Sequence, residues 1–180
     1  MLIHTIYRVR VTGLDRIPQE GPLIIAANHV SYVDPMIIGG LVRRPVRFVM
    51  HHRIHRMPLL HFVFRTGKAI PIASRKEDPK VLEQAYARIH EELAQGEVVG
   101  IFPEGSLTPD GMIQPFKRGI DKIISERPVT VVPVALCYMW GSLFSRRDPL
   151  LRRRPYKLWS LIELRVGYPL PAHEVSAERL

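Results

Sequence analysis

Apolar residues fall in short runs along the chain, and the period of each run separates candidate strands from candidate helices. Residues 7–11 (YRVRV) alternate apolar and basic side chains, the pattern of a short edge strand, and Thr12-Gly13 ends it. Residues 23–27 (LIIAA) are apolar throughout, as a strand covered on both faces must be, and Gly21-Pro22 leads into them. A short helix is predicted over 35–42, with Pro35 at its first position and Asp34 placed to cap it. Residues 47–50, 69–73, 98–102, 129–136 and 158–166 read as further strands. The clearest helix opens at Asp78-Pro79, carries Val81, Leu82, Ala85, Ile89 and Leu93 on one face, and closes at Gly96; another is predicted over 117–126. Residues 51–64 fit neither period, because Pro58 interrupts them and Met57, Leu59, Leu60, Phe62, Val63 and Phe64 make them unusually apolar beside their arginines. Strands alternating with helices predict an α/β fold with a mixed, largely parallel central sheet flanked by helices. A site is expected at the strand C-termini.

The chain has 180 residues, 46% of them apolar, which predicts a single domain over 1–180 with a real core. Its one cysteine, Cys137, lies in the apolar run VVPVALCYM and reads as a buried, inert thiol in a reducing compartment. The formal charge of +9 asks for an acidic partner: nucleic acid, an anionic bilayer or an acidic carrier protein. Arginines cluster at 43, 44 and 47, at 53 and 56, and at 146, 147 and 152–154, a pattern that a plain solvated surface shares. Charged residues within 1–10 argue against a secretory signal. The longest uncharged stretch, 128–145, contains Pro128, Pro133 and Gly141 and reads as a strand plus loop, not a spanning helix.

Two strand ends carry residues with chemistry. After the strand 23–27 come Asn28-His29-Val30-Ser31-Tyr32-Val33-Asp34, with a histidine and an aspartate five positions apart. Five residues of regular helix turn through roughly 500°, so the two side chains meet only if the backbone bends between them. In a bent turn the carboxylate can accept the Nδ1 proton and leave Nε2 as a base; otherwise Asp34 is an N-cap and His29 a polar strand-end residue. After the strand 98–102, Pro103-Glu104-Gly105-Ser106 puts a glutamate in a stiff turn, either facing a ligand hydroxyl or simply turning the chain. No metal site is expected, since His51, His52, His55 and His61 lie among arginines without ligand-pair spacing. Neither Ser31 nor Ser106 lies in Gly-x-Ser-x-Gly, and no phosphate-binding Gly-rich loop is present.

Together the two strand ends resemble the glycerolipid (lysophospholipid) acyltransferase family, which includes the 1-acylglycerol-3-phosphate acyltransferases. Four blocks occur in family order: Asn28-His29-x-x-x-x-Asp34, Gly67-Lys68-Ala69-Ile70-Pro71-Ile72, Phe102-Pro103-Glu104-Gly105-Ser106, and Val132-Pro133-Val134. The resemblance implies a glycerol-3-phosphate acyltransferase-like fold and direct transfer of an acyl group, without an acyl-enzyme, from acyl-CoA or acyl carrier protein to a lipid hydroxyl. His29 would be the base and Asp34 its orienting partner. Asn28, Glu104, Gly105 and Ser106 would bind the acceptor, and amides near Gly105 and Ser106 are candidate oxyanion donors. No cofactor is implied, and nucleic acid is not expected as a partner.

The chain departs from the family pattern at Ala73 and Leu107, where many phosphatidate-forming members carry arginines that read the acceptor phosphate. Arg75, Lys117 and Arg118 are the substitutes the sequence offers, and a lyso-lipid other than lysophosphatidate, such as an aminolipid, is in play. Residues 102–111 and Trp140-Gly141-Ser142, followed by Phe144-Ser145-Arg146, are similar to bacterial members found alone or fused to transporter and acyl-ligase domains. The expected setting is peripheral, on the cytoplasmic side of a membrane. Residues 53–65 are one candidate contact with an anionic surface, or else a core helix. A catalytically inactive lipid- or acyl-carrier-binding domain is the alternative reading.

Overall fold

The computed structural model describes residues 7–55, 61–142 and 159–180, with residues 61–63 as backbone only. Seven strands form one sheet: β1 (Arg8–Thr12), β2 (Leu23–Ala27), β3 (Val46–His51), β4 (Ile70–Ile72), β5 (Val98–Ile101), β6 (Thr130–Cys137) and β7 (Leu161–Val166). Their order across the sheet is β1-β7-β6-β2-β5-β3-β4. The five strands β4, β3, β5, β2 and β6 run parallel, while β7 is antiparallel to β6 and carries β1 parallel to itself. The mixed, largely parallel sheet is therefore as expected.

The chain order explains where the site lies. From β2 it crosses to β3 and β4 on one side, returns to β5, then passes β2 to reach β6. The C-terminal ends of β2, β5 and β6 thus meet where the winding reverses, the usual place for a ligand crevice in such sheets.

Alternation along the strands divides the core. Leu23, Ile25 and Ala27 join Ile37 and Ile38 of helix α1 (Asp34–Leu41) on one face. Ile24 and Ala26 join Ala85, Ile89 and Leu93 of helix α4 (Pro79–Ala94), and Ile120, Ile123 and Ile124 of helix α5 (Gly119–Glu126), on the other. With both faces covered, β2 has to be apolar at every position. Asp78 caps α4, its carboxylate accepting from the Lys80 and Val81 amides at 3.1 Å. Two short helices, α2 (His52–His55) and α3 (His61–Thr66), account for part of the segment that fitted neither period.

Three expectations shift. The helix after β5 starts at Gly119, not at 117, because the Lys117 amide is still bound to the Pro103 carbonyl at 2.8 Å. Cys137 is half-buried, since it ends β6 at the sheet rim. Arg47 is not part of a solvated cluster: it is buried on β3, 3.4 Å from Glu92 and 3.3 Å from Glu97, and Arg88 also pairs with Glu92. Nearby, Arg44 donates to the carbonyls of Pro18 and Gly96. Part of the positive charge therefore holds the fold.

The middle of β5 is filled by a ring where a side chain would go. A Cβ on Gly100 would lie 2.5 Å from the Phe48 ring and 2.8 Å from Val46 Cγ1. Gly100→Ala is expected to lower stability by about 1–3 kcal/mol, as overpacking does in close-packed interiors; urea unfolding of the variant measures it.

Candidate active site

Strand β2 ends at Ala27, and the next residue continues its ladder with a side chain. Asn28 Nδ2 donates to the Leu136 carbonyl at 3.0 Å, and its Oδ1 accepts from the Leu136 amide at 2.7 Å. The amide fork satisfies β6 while the backbone of residues 28–31 turns away. Asn28 is buried, and both ends of its amide are bonded to β6.

The turn is closed by Asp34. One oxygen, Oδ2, accepts from the Val30 amide at 2.7 Å and the Ser31 amide at 2.8 Å, and lies 3.0 Å from His29 Nδ1. Asp34 is the first residue of α1; Val33 takes the N-cap position with no side-chain cap. The carboxylate thus points back along the chain instead of capping the amides ahead of it. Two backbone donors and the imidazole share one fully buried carboxylate, which supplies the bend that five-residue spacing requires. With Nδ1 committed to Asp34, Nε2 is the nitrogen left for a substrate.

The imidazole rests on a ring supplied by the residue that follows β5. His29 and Phe102 stack with centroids 4.1 Å apart and planes 19° from parallel, and Phe102 stacks in turn on Phe48. His29 keeps 19% of its side chain exposed, so one edge is open. The role of Phe102 escapes sequence reasoning, because an aromatic at a strand end reads as core.

Glu104 holds the two strand ends together. Its Oε1 accepts from the His29 amide at 2.7 Å and its Oε2 from the Gln114 amide at 2.9 Å, and the residue is only 2% exposed. The Thr108 amide donates to the His29 carbonyl at 2.9 Å, so His29 is tied to the β5 loop on both sides of its peptide frame. Each Glu104 oxygen thus carries one backbone bond, which fixes the carboxylate between the two strand ends. Glu104→Ala would leave both amides without their partner, and we expect a loss of about 2–4 kcal/mol in urea unfolding. Glu104→Gln, which keeps one acceptor, should fall between.

Gly105 sits at φ +68, where a Cβ would lie 2.5 Å from Lys117 Nζ. Glycine here permits the left-handed turn and lets the lysine cross over it, which brings an ammonium group to the turn that follows Phe102. The Gly105 amide donates to the Phe102 carbonyl at 2.9 Å and is not free for an oxyanion. Ser106 is exposed beside it, and Lys117 and Arg118 are exposed just before α5. Arg75 is also exposed but lies by Tyr86 on the α4 side, where burial, and then Glu126, push the Tyr86 phenol up and Arg75 opposes them. Ala73 and Leu107 are both buried and packed inward.

Beyond the pair, His51, His52 and Glu77 come together at the ends of β3 and β4, with His51 Nε2 2.9 Å and His52 Nε2 3.2 Å from the carboxylate. The Arg53 amide donates to His51 Nδ1 at 3.3 Å and its guanidinium lies 2.7 Å from Glu77. Hydrogen bonds from His52, then from His51, hold the Glu77 carboxyl below its ordinary range. An amide aimed at Nδ1 leaves the His51 proton on Nε2, facing the Glu77 carboxylate. The stretch 53–65 includes residues 56–60, which lie outside the described residues, as do Arg146, Arg147 and Arg152 to Arg154. No helix among the described residues is long and apolar enough to cross a membrane.

A family model described as acyltransferase matches residues 8–137. A chloroplastic 1-acyl-sn-glycerol-3-phosphate acyltransferase of Arabidopsis thaliana is 27% identical over 135 residues, covering 74% of this chain and 37% of that protein. A lyso-ornithine lipid O-acyltransferase of Pseudomonas aeruginosa is 30% identical over 145 residues, covering 81% of this chain and 53% of that protein. The crystal structure of the 1-acyl-sn-glycerophosphate acyltransferase from Thermotoga maritima superposes with a TM-score of 0.75 at 23% identity, over 96% of this chain and 66% of that one. The chain spans about two fifths to half of the length of the curated relatives it matches first.

Proposed function

The chain belongs to the acyltransferase family, and on that premise we propose that it transfers a fatty acyl group from a thioester to the free hydroxyl of a lyso-lipid in phospholipid synthesis or remodelling. The observation that carries this reading is the His29 Nδ1–Asp34 Oδ2 contact of 3.0 Å at the open end of β2. His29 Nε2 takes the proton of the acceptor hydroxyl as that oxygen attacks the thioester carbonyl. The buried Asp34 carboxylate stabilises the imidazolium, and collapse of the tetrahedral intermediate expels the thiolate, which takes the proton from His29. A thiolate leaves readily, so no strong general acid is needed. The donor, acyl-CoA or acyl carrier protein, is a substrate, and the chemistry calls for no further cofactor.

The acceptor is a 1-acylglycerol-3-phosphate or a related lyso-lipid. Apolar packing of Ala73 and Leu107 favours an acceptor other than a bare phosphate monoester. The ammonium of Lys117 above Gly105, with Arg118 beside it in sequence, is a cation at the turn after Phe102 that could read an anionic group. One relative, at 30% identity, is named for a lyso-ornithine lipid, an aminolipid acceptor of the kind those two positions admit. A basic surface suits either an anionic bilayer or an acidic acyl carrier protein.

The test is a matrix of labelled acyl-CoA and acyl carrier protein against 1-acylglycerol-3-phosphate, lysophospholipids with head groups and a lyso-aminolipid. Acyl transfer to at least one acceptor is expected. No transfer from either donor to any of them would overturn the enzyme reading and leave a lipid- or carrier-binding domain.

A further inference from the structure

Eight large apolar side chains are exposed among the described residues, and their positions are not scattered. Tyr32 and Met36 follow β2, Met112 and Ile113 follow β5, and Tyr138 follows β6. Trp159 precedes β7, whose antiparallel register against β6 brings its beginning to the same rim. All six therefore stand at the rim that carries His29. Leu161 begins β7 on that rim too, and the eighth, Tyr168, lies under the Arg16 guanidinium, 4.1 Å from its ring centroid.

The most exposed part of this ring is stiff. In residues 107–114 the Thr108 hydroxyl donates to the Met112 carbonyl at 2.7 Å and accepts from the Gly111 amide at 3.0 Å. Asp110 Oδ1 accepts from the Met112 amide at 2.9 Å and from Gln114 Nε2 at 3.0 Å, bracing the loop although the residue itself is exposed. The loop hangs on His29 through the Thr108 amide and on Glu104 through the Gln114 amide. Its back lies flat on Trp140, since a Cβ on Gly111, at φ +89, would come within 2.6 Å of the indole. A loop so pinned cannot fold its tip inward, and Met112 and Ile113 stay 69% and 62% exposed. Exposed cations, Lys117 and Arg118 after this loop and Arg8 at the start of β1, flank the ring.

We infer that this rim is a membrane-docking surface: the Met112–Ile113 tip inserts among the acyl chains of an anionic bilayer, the other apolar residues of the ring rest at its interface, and the cations meet the head groups. The inference rests on the proposed lyso-lipid acceptor, which must reach His29 from a bilayer. An acidic carrier protein would use the cations but gives no reason for a rigid tip of methionine and isoleucine.

The experiment compares the full chain with the double variant Met112→Ser/Ile113→Ser by co-sedimentation with vesicles of phosphatidylcholine containing phosphatidylglycerol. Turnover is followed in parallel with short-chain substrates kept monomeric. The variant is expected to keep its unfolding midpoint and its turnover on monomers and to lose about tenfold or more in vesicle partitioning. Wild-type partitioning should fall as salt rises. Undiminished vesicle binding by the variant overturns the inference, as does loss of monomer turnover with vesicle binding intact, which would make the tip a substrate or carrier contact. Vesicle binding without acyl transfer by the wild type would instead sink the proposed reaction and leave the docking surface standing.

Discussion

His29→Ala should abolish acyl transfer to within background, a fall of at least about 10³-fold in kcat, while the protein keeps its fold. Among the described residues the imidazole is the group at the β2 rim placed to accept a hydroxyl proton, and it contributes little to the core beyond its stack on Phe102. That stack is worth about 0.5–1.5 kcal/mol, so the unfolding midpoint should move by only a few degrees. Direct transfer makes a further demand. Wild type mixed with acyl donor alone should show no added acyl mass on the intact protein. A covalent adduct, or substantial turnover in His29→Ala, would require a nucleophile that the His29–Asp34 pair does not supply.

Asp34→Asn should damage both chemistry and stability. Its Oδ2 serves the Val30 and Ser31 amides together with His29, while Oδ1 is buried with no hydrogen-bond partner among the described residues. An asparagine that keeps its oxygen at the Oδ2 position retains the turn but buries an NH2 group where nothing accepts. Flipped, it sets that NH2 against two backbone donors. Either way the cost is about 1–3 kcal/mol. The neutral amide also cannot stabilise the imidazolium, and kcat is expected to fall by about 10²–10⁴-fold, by analogy with the aspartate of serine-protease triads. If urea unfolding shows the loss while kcat stays near wild type, Asp34 folds the turn and no more.

The sequence displayed the elements of this site better than the bonds between them. Spacing alone required a bend for His29 to meet Asp34, and the bend is there, but its cause, the two amides on one carboxylate, is a backbone matter that side-chain patterns do not encode. Asn28 and Glu104 lie in the expected blocks, yet their partners are Leu136 and the Gln114 amide, set by which strands become neighbours and how the β5 loop closes. Phe102 reads as a core aromatic until its place under the imidazole is known. The parallel strands followed from helices in the connections. The direction of β7 did not, because no helix is predicted between residues 137 and 158 to impose it.

The pairing of β1 with β7 has a consequence for how the molecule assembles. Arg8 lies opposite Leu161, a partner about 150 residues further along the chain, whereas β2, β5 and β6 find one another within residues 23–137. Contacts of such long range form slowly, because a large loop must close before any pairing rewards it. During synthesis β1 is thus made well before the partner it must wait for, and the strands β2, β5 and β6 whose ends carry His29 are complete before β7 is made.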